Sequence, residues 1–270
     1  MRSSQILHTA FVLTVLVAFP LAARAQEATP AVTAPLTMVA SGLTNPRGFA
    51  WGPDGMLYLA MAGHGGDNLL PVAPGFTIHN GLTSSVVTVA DGCTTPVVQG
   101  LVSTLREEPG WVWGAMDVAF LGDDLYVLVS GAGPFWGSPS SRSGVYAINE
   151  DGAMTDGSLF DLEATSEALL ISNAVSGQII KVTPAGEISE FADLSEGHPV
   201  PTGLAVDSDD NAYVGFESAM PFTDGGVTIV KITPDGTVSD AWKGLTRVAD
   251  VAIGPDGTLY AEELSTGNTV

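Results

Sequence analysis

Five side chains with hard oxygen donors, Asp117, Asn173, Glu217, Asp250 and Glu262, stand at comparable points of successive segments. Oxygen donors of this kind suit calcium, which takes about six to eight of them, and a bound divalent metal can polarise an ester carbonyl. The same residue types serve equally well as solvated or turn-bonded loop carboxylates. No compact ligand spacing separates the two readings. A second candidate constellation is Arg47 with Trp111 and Trp113, the tryptophans lying close to Arg106. They could form a platform for a planar ligand, each stacking contact contributing ~1 kcal/mol. Burial of the two rings over a neighbouring hairpin is the alternative.

Other chemistries find little support. Asp207-Ser-Asp209-Asp-Asn211 opens like a calcium loop, but Ala212 and Ser218 stand where such a loop needs Gly and Glu, so a hairpin turn is expected there. The histidines, 8, 64, 79 and 198, are far apart. There is no G-x-S-x-G elbow and no Cys-His pair. Cys93 is the single cysteine, so an internal disulfide is excluded, and it reads as a half-buried strand residue.

The elements that must position these residues are announced by repetition. NPRGFAWGPDGMLYLAMAG (45–63) and ADVAIGPDGTLYAEELSTG (249–267) share Gly-Pro-Asp-Gly and a following Leu-Tyr. The pair marks Tyr58, Tyr126 and Tyr260, with weaker copies at Ile171 and Tyr213, at intervals of 68, 45, 42 and 47 residues. Periods of about 40 to 50 mean stacked units such as propeller blades. The first interval is long because residues 64–82 read as a surface insertion. Each unit runs from an apolar stretch (GFAW, MDVAF, GLAV, DVAI) through a tight turn to a second stretch, then to two more strands. The inner stretches are apolar on both faces, which suits sheets covered on both sides; a β-sandwich would not need this period. The expected fold is an all-β propeller with four-stranded blades.

Before it, Arg2, the apolar run Ala10–Ala23 and Ala23-Arg24-Ala25 read as a signal peptide over residues 1–25, too short for a stable span. Residues 26–37 read as a Pro/Ala/Thr-rich linker and 38–270 as the propeller. The expectation is therefore a secreted or periplasmic monomer with no membrane span after cleavage. Removing Arg2 and Arg24 takes the net charge from −21 to −23, which disfavours nucleic acid and anionic lipid. The acids are scattered, as solubility requires.

VASGLTNPRGFAWGPDGMLYLAMAG, MDVAFLGDDLYV, PTGLAVDSDDNAYVGFESAMPF and DVAIGPDGTLYAEE resemble the ScyD/ScyE family of secreted propellers, relatives of NHL-repeat and TolB-like proteins. The resemblance spans Met38 to Glu263 and implies six blades and a ligand- or protein-binding, scaffold role of unsettled activity. Propellers place ligands at the axial mouth, so a small molecule or protein partner is expected there. Lactonases of the SMP-30 and gluconolactonase type hold a metal at that mouth. The enzymatic alternative is therefore a calcium-dependent lactonase using Asp117, Asn173, Glu217, Asp250 and Glu262. Two departures from the family pattern are expected: a shortened blade three, because DLEATSEALL passes directly to a second strand, and about four and a half blades, leaving MVASGL (38–43) without a partner.

Overall fold

The computed structural model describes residues 37–73, 76–148, 153–154, 159–197, 199–217 and 222–265. The expected signal peptide and all of the linker before Thr37 lie outside them. The described chain is twenty strands and one short 3-10 turn, in five consecutive antiparallel sheets. The first holds β1 (Pro46–Trp51), β2 (Leu57–Met61), β3 (Asn68–Ala73), β4 (Phe76–Ala90), β5 (Cys93–Arg106) and β6 (Trp111–Trp113). The second holds β7 (Ala115–Leu121), β8 (Asp124–Val129), β9 (Gly144–Ala147) and β10 (Ala153–Met154). The third is β11 (Leu159–Ala164), β12 (Leu169–Asn173), β13 (Gln178–Val182) and β14 (Ile188–Asp193). The fourth is β15 (Val200–Val206), β16 (Ala212–Glu217), β17 (Val227–Ile232) and β18 (Val238–Leu245), and the fifth is β19 (Val248–Ile253) with β20 (Leu259–Glu263).

The repeated nineteen-residue sentence is one hairpin built twice. Gly55 donates to the Gly52 carbonyl and Gly257 to that of Gly254, at 2.8 and 2.9 Å. Both donors sit at positive φ, 76° and 80°, where only glycine is unstrained. Asp54 and Asp256 accept the N–H two residues on, so the aspartate closes the turn its neighbours bend. The Asp207–Asn211 stretch is likewise a turn: Asp207 Oδ1 accepts from Asp209 N and Asn211 N.

Alternate residues of a single strand feed different cores, and this explains the doubly apolar stretches. In β12, Leu169 and Ile171 pack with Leu128, Leu159 and Leu162 between the second and third sheets. Leu170, between them in sequence, packs with Leu204, Val214 and Ile229 toward the fourth. Val118 and Val127 face Ala60 and Val86 of the first sheet in the same way. A fully buried Leu or Ile contributes about 2 kcal/mol, so each sheet depends on the next for its stability.

Four expectations are corrected. The third sheet has all four strands: Leu159–Ala164 is a complete first strand, and Thr165–Ala168 turns the chain into β12, with Thr165 N–H on the Ala168 carbonyl. The segment read as an insertion is sheet, because β3 pairs with the front half of a fifteen-residue β4. Ala40 makes a parallel bridge with Gly92, and Ala40 and Leu43 pack on Leu59, Val87 and Val89, so MVASGL has a partner on the first sheet. Cys93 is exposed rather than half-buried.

A register shift falls at the same point of every inner strand: Pro46/Phe49, Ala115/Asp117, Leu159/Leu162, Pro201/Leu204 and Val248/Asp250. The residue closing each bulge is Gly48, Asp117, Asp161, Gly203 or Asp250. Each aspartate accepts the next N–H of its own strand, from Val118, Leu162 or Val251 at 2.8–2.9 Å. Asp117 Oδ2 also accepts Leu162 N of the third sheet (3.0 Å), and Asp161 Oδ2 accepts Leu204 N of the fourth (2.5 Å). The glycines make room: a Cβ on Gly48 would fall on the Asp117 carboxylate, and one on Gly203 would lie 2.5 Å from Asp250 Oδ1. Gly48→Ala is therefore expected to destabilise by about 2 to 4 kcal/mol, as overpacking and lost bulge bonds combine. In an Asp117→Gly background the same change costs much less. Urea unfolding of the two singles and the double checks this coupling.

Candidate functional site

Loops entering each first strand and leaving each second strand gather at one end of the sheets. Asp117 is buried there, with both oxygens engaged by backbone N–H groups of two sheets. Asp161 and Glu163, which sequence reasoning passed over, join it: Asp161 hydrogen-bonds the Asp117 side chain. The signal was available, since Asp161 occupies the same place before an apolar residue as Asp117 and Asp250. Asp250 stands opposite Glu262 in the β19–β20 register.

The crowding shows in the protonation. Burial, then the Asp161 charge, lift Asp117 well above the usual carboxylate range. Burial with the charges of Asp161 and Asp250 pushes Glu163 to about 8, and burial with Asp161 pushes Asp250 to about 6. These acids hold protons because desolvation and like charge both oppose ionisation.

The other two predicted ligands lie apart from this cluster. Asn173 is buried at the exit of β12, its Oδ1 accepting Val175 N and Ser176 N. Glu217 pairs with Arg247, whose guanidinium also lies 4.0 Å from the Phe222 ring. Among the described residues no group of three or more His, Cys, Asp or Glu is disposed to hold a metal ion.

The aromatic candidates do come together. Arg47 Nη2 donates to the Val112 carbonyl (2.8 Å), tying the entry of β1 to β6 between the two tryptophans. Arg106 lies 5.4 Å over Trp111, and Trp111 meets Trp113 edge-on at 6.0 Å. Trp113 in turn lies 4.8 Å from Trp136, which packs edge-on with Phe135 at 5.0 Å. Phe135 and Trp136 come from a Gly-Pro-Phe-Trp-Gly turn between β8 and β9 that sequence reasoning did not connect with Trp113. Trp113 of the first sheet, Phe135 and Trp136 of the β8–β9 loop and Val175 of the β12–β13 loop wall a cavity of about 330 Å³. Phe135 is 61% exposed and Val175 78%. Ser130, 1% exposed, also lines the cavity, and among the described residues its Oγ has no hydrogen-bond partner.

No family model matches the sequence, and no curated protein matches it. Solved structures do. A gluconolactonase from Xanthomonas campestris is similar at a TM-score of 0.55 and 13% identity, over 83% of this chain and 70% of that one. A chain of the nidogen/laminin complex gives 0.49 at 12% identity, over 81% of this chain and 72% of its own. A catalytically inactive virginiamycin B lyase from Staphylococcus aureus with quinupristin gives 0.39 at 13%, over 81% and 92%. The likeness to the first fixes the fold: this chain is a β-propeller.

The hub acids give a pH dependence of definite sign. Glu163 binds its proton up to about pH 8 when folded, against an ordinary value of 4.5. Its contribution is fully present below the lower value and is lost as pH rises through the upper one. The thermal midpoint is expected to fall between about pH 5 and about pH 9, and Glu163→Gln makes that fall smaller, with Asp117 and Asp250 carrying the remainder. Circular-dichroism melts across the range check it.

Proposed function

We propose that this chain is an extracytoplasmic propeller of binding or scaffold type, of the kind the ScyD/ScyE resemblance implies. Its ligand is a planar molecule taken between Trp113, Phe135 and Trp136. The observation carrying this reading is the buried Ser130 hydroxyl that lines an aromatic cavity without a partner among the described residues. A buried polar atom is normally satisfied, and a flat ligand with a hydrogen-bonding edge would satisfy this one while stacking on the rings. Export is supported by the leader-like residues 1–25, and the strong negative charge sets nucleic acid aside as the partner.

The calcium-dependent lactonase remains the rival class, favoured by the fold shared with a gluconolactonase. It requires Asp117, Asn173, Glu217, Asp250 and Glu262 to share one ion. Against it stands the use already made of them: Asp117 in bonds between sheets, Asn173 in a turn, Glu217 in an ion pair.

One set of titrations separates the two. With 2-naphthol as a planar probe, calorimetry should show binding that weakens by about fivefold in Phe135→Ala and in Trp136→Ala, the loss of ~1 kcal/mol per ring contact. Calcium should give no heat and no thermal stabilisation, and gluconolactone should hydrolyse no faster with calcium and protein than with calcium alone. Calcium-dependent hydrolysis abolished by Asp250→Asn would instead establish the lactonase.

A further inference from the structure

A second recess, of about 460 Å³, lies between the β4–β5 ribbon and the loop that joins β8 to β9. Two irregularities in the ribbon open it. Gly81 pairs with Ser103 and Ser84 with Leu101, so Leu82 and Thr83 stand opposite Val102 alone; Ser85 then pairs with Gln99, leaving Gly100 as the extra residue on β5. Gly100 sits at φ 79°, the left-handed region. Bulges of this kind turn side chains out of the ladder, and here Leu82 is 65% exposed as one wall of the recess. Leu101, Val102, Val129 and Pro139 supply the remaining apolar lining.

One charge stands among the lining residues, that of Arg142, beside the hydroxyl-bearing Ser140 and Ser141. The Tyr146 hydroxyl donates to the Arg142 carbonyl (2.5 Å) and so holds the backbone that carries it. Lys231, Lys243 and Arg247 pair with Asp207, Asp240 and Glu217. Arg142 pairs with no carboxylate among the described residues, in a chain with 30 acids and 9 bases. In a chain where acids outnumber bases so heavily, an arginine among apolar lining residues marks a local reversal of charge among the described residues. Arginine is also the side chain whose fork of N–H groups matches a carboxylate.

We infer that this recess is a binding site for a small amphipathic monocarboxylate. The carboxylate sits on the Arg142 guanidinium within reach of Ser140 and Ser141, and the hydrocarbon body lies along Leu82, Leu101, Val102 and Val129. Neither the fold nor the aromatic cavity requires such a ligand, and the inference stands apart from the function proposed above. The sign of the charge is its sharp feature. A net charge of −21 attracts cations over the surface as a whole, so preference for an anion can arise only locally.

Calorimetric titration of the full chain with decanoate, decanol and decyltrimethylammonium, each as the free monomer, tests this. Decanoate should bind at least about tenfold more tightly than the alcohol or the cation. Arg142→Gln should abolish that preference while leaving decanol binding unchanged. Leu82→Glu, a change at an exposed position, should remove decanoate binding and retain the wild-type melting curve. Trp136→Ala should leave it intact, which separates this recess from the aromatic cavity. Equal binding of all three probes, binding of decanoate undiminished in Arg142→Gln, or no decanoate binding at all would overturn the assignment.

Discussion

A β-bulge frees backbone donors, and this chain places one in each of five inner strands, buried where Asp117 stands and open to solvent at Asp250. A buried N–H without an acceptor costs about 1 to 3 kcal/mol, so the hub can form only if acceptors arrive with the strands. Aspartate at the bulge supplies them. One oxygen serves its own strand and, for Asp117 and Asp161, the other serves the neighbouring sheet. The interaction that relieves the bulge is thus the one that orients consecutive sheets. Small hydroxyls repeat the device a little further out. Ser84 Oγ accepts Ala115 N–H across the first and second sheets, Ser172 Oγ donates to the Thr202 carbonyl, and Thr202 Oγ donates to that of Val248.

Apolar packing and these polar links divide the labour. The cores between sheets are made of branched side chains that would tolerate sliding, since hydrophobic attraction has no direction. Hydrogen bonds to backbone N–H have direction and fixed length, so they set the angle at which one wedge meets the next. Gly48 and Gly203 follow from the same geometry, because Asp117 and Asp250, each pressed on the preceding inner strand, need a hydrogen where that strand would carry a side chain.

Much of this was legible in the sequence. The Leu-Tyr period located the sheets and the Gly-Pro-Asp-Gly turns located the hairpins, because both rest on local chemistry. The first strand of the third sheet was missed because Leu159–Ala164 is followed by Thr165-Ser-Glu-Ala168, a turn closed by hydroxyl bonds and by Asp210 of the next sheet rather than by the Gly and Pro that announce turns elsewhere. The residues 64–82 looked like a loop because their Gly and Pro content hid the strand pairing of Asn68–Ala73. Trp113 was singled out without its partners, since Phe135 and Trp136 meet it only through the fold. Asp117 and Asp250 read from the sequence as calcium ligands or as ordinary loop carboxylates; what the sequence did not display is their common position in the bulge, shared with Asp161.

The hub acids show how far a structural role narrows a chemical one. A carboxylate has about four acceptor sites, so two N–H bonds do not by themselves forbid a cation. They do fix the plane of the group and surround it with the positive ends of N–H dipoles, which repel a cation approaching from the same side. Protonation is the cheaper answer to the remaining charge: Asp117 keeps a proton beside Asp161, and Glu163 keeps one to about pH 8. Asp117 and Asp161 are thus engaged in joining sheets, while Trp113, Phe135 and Trp136 wall a recess on the loops.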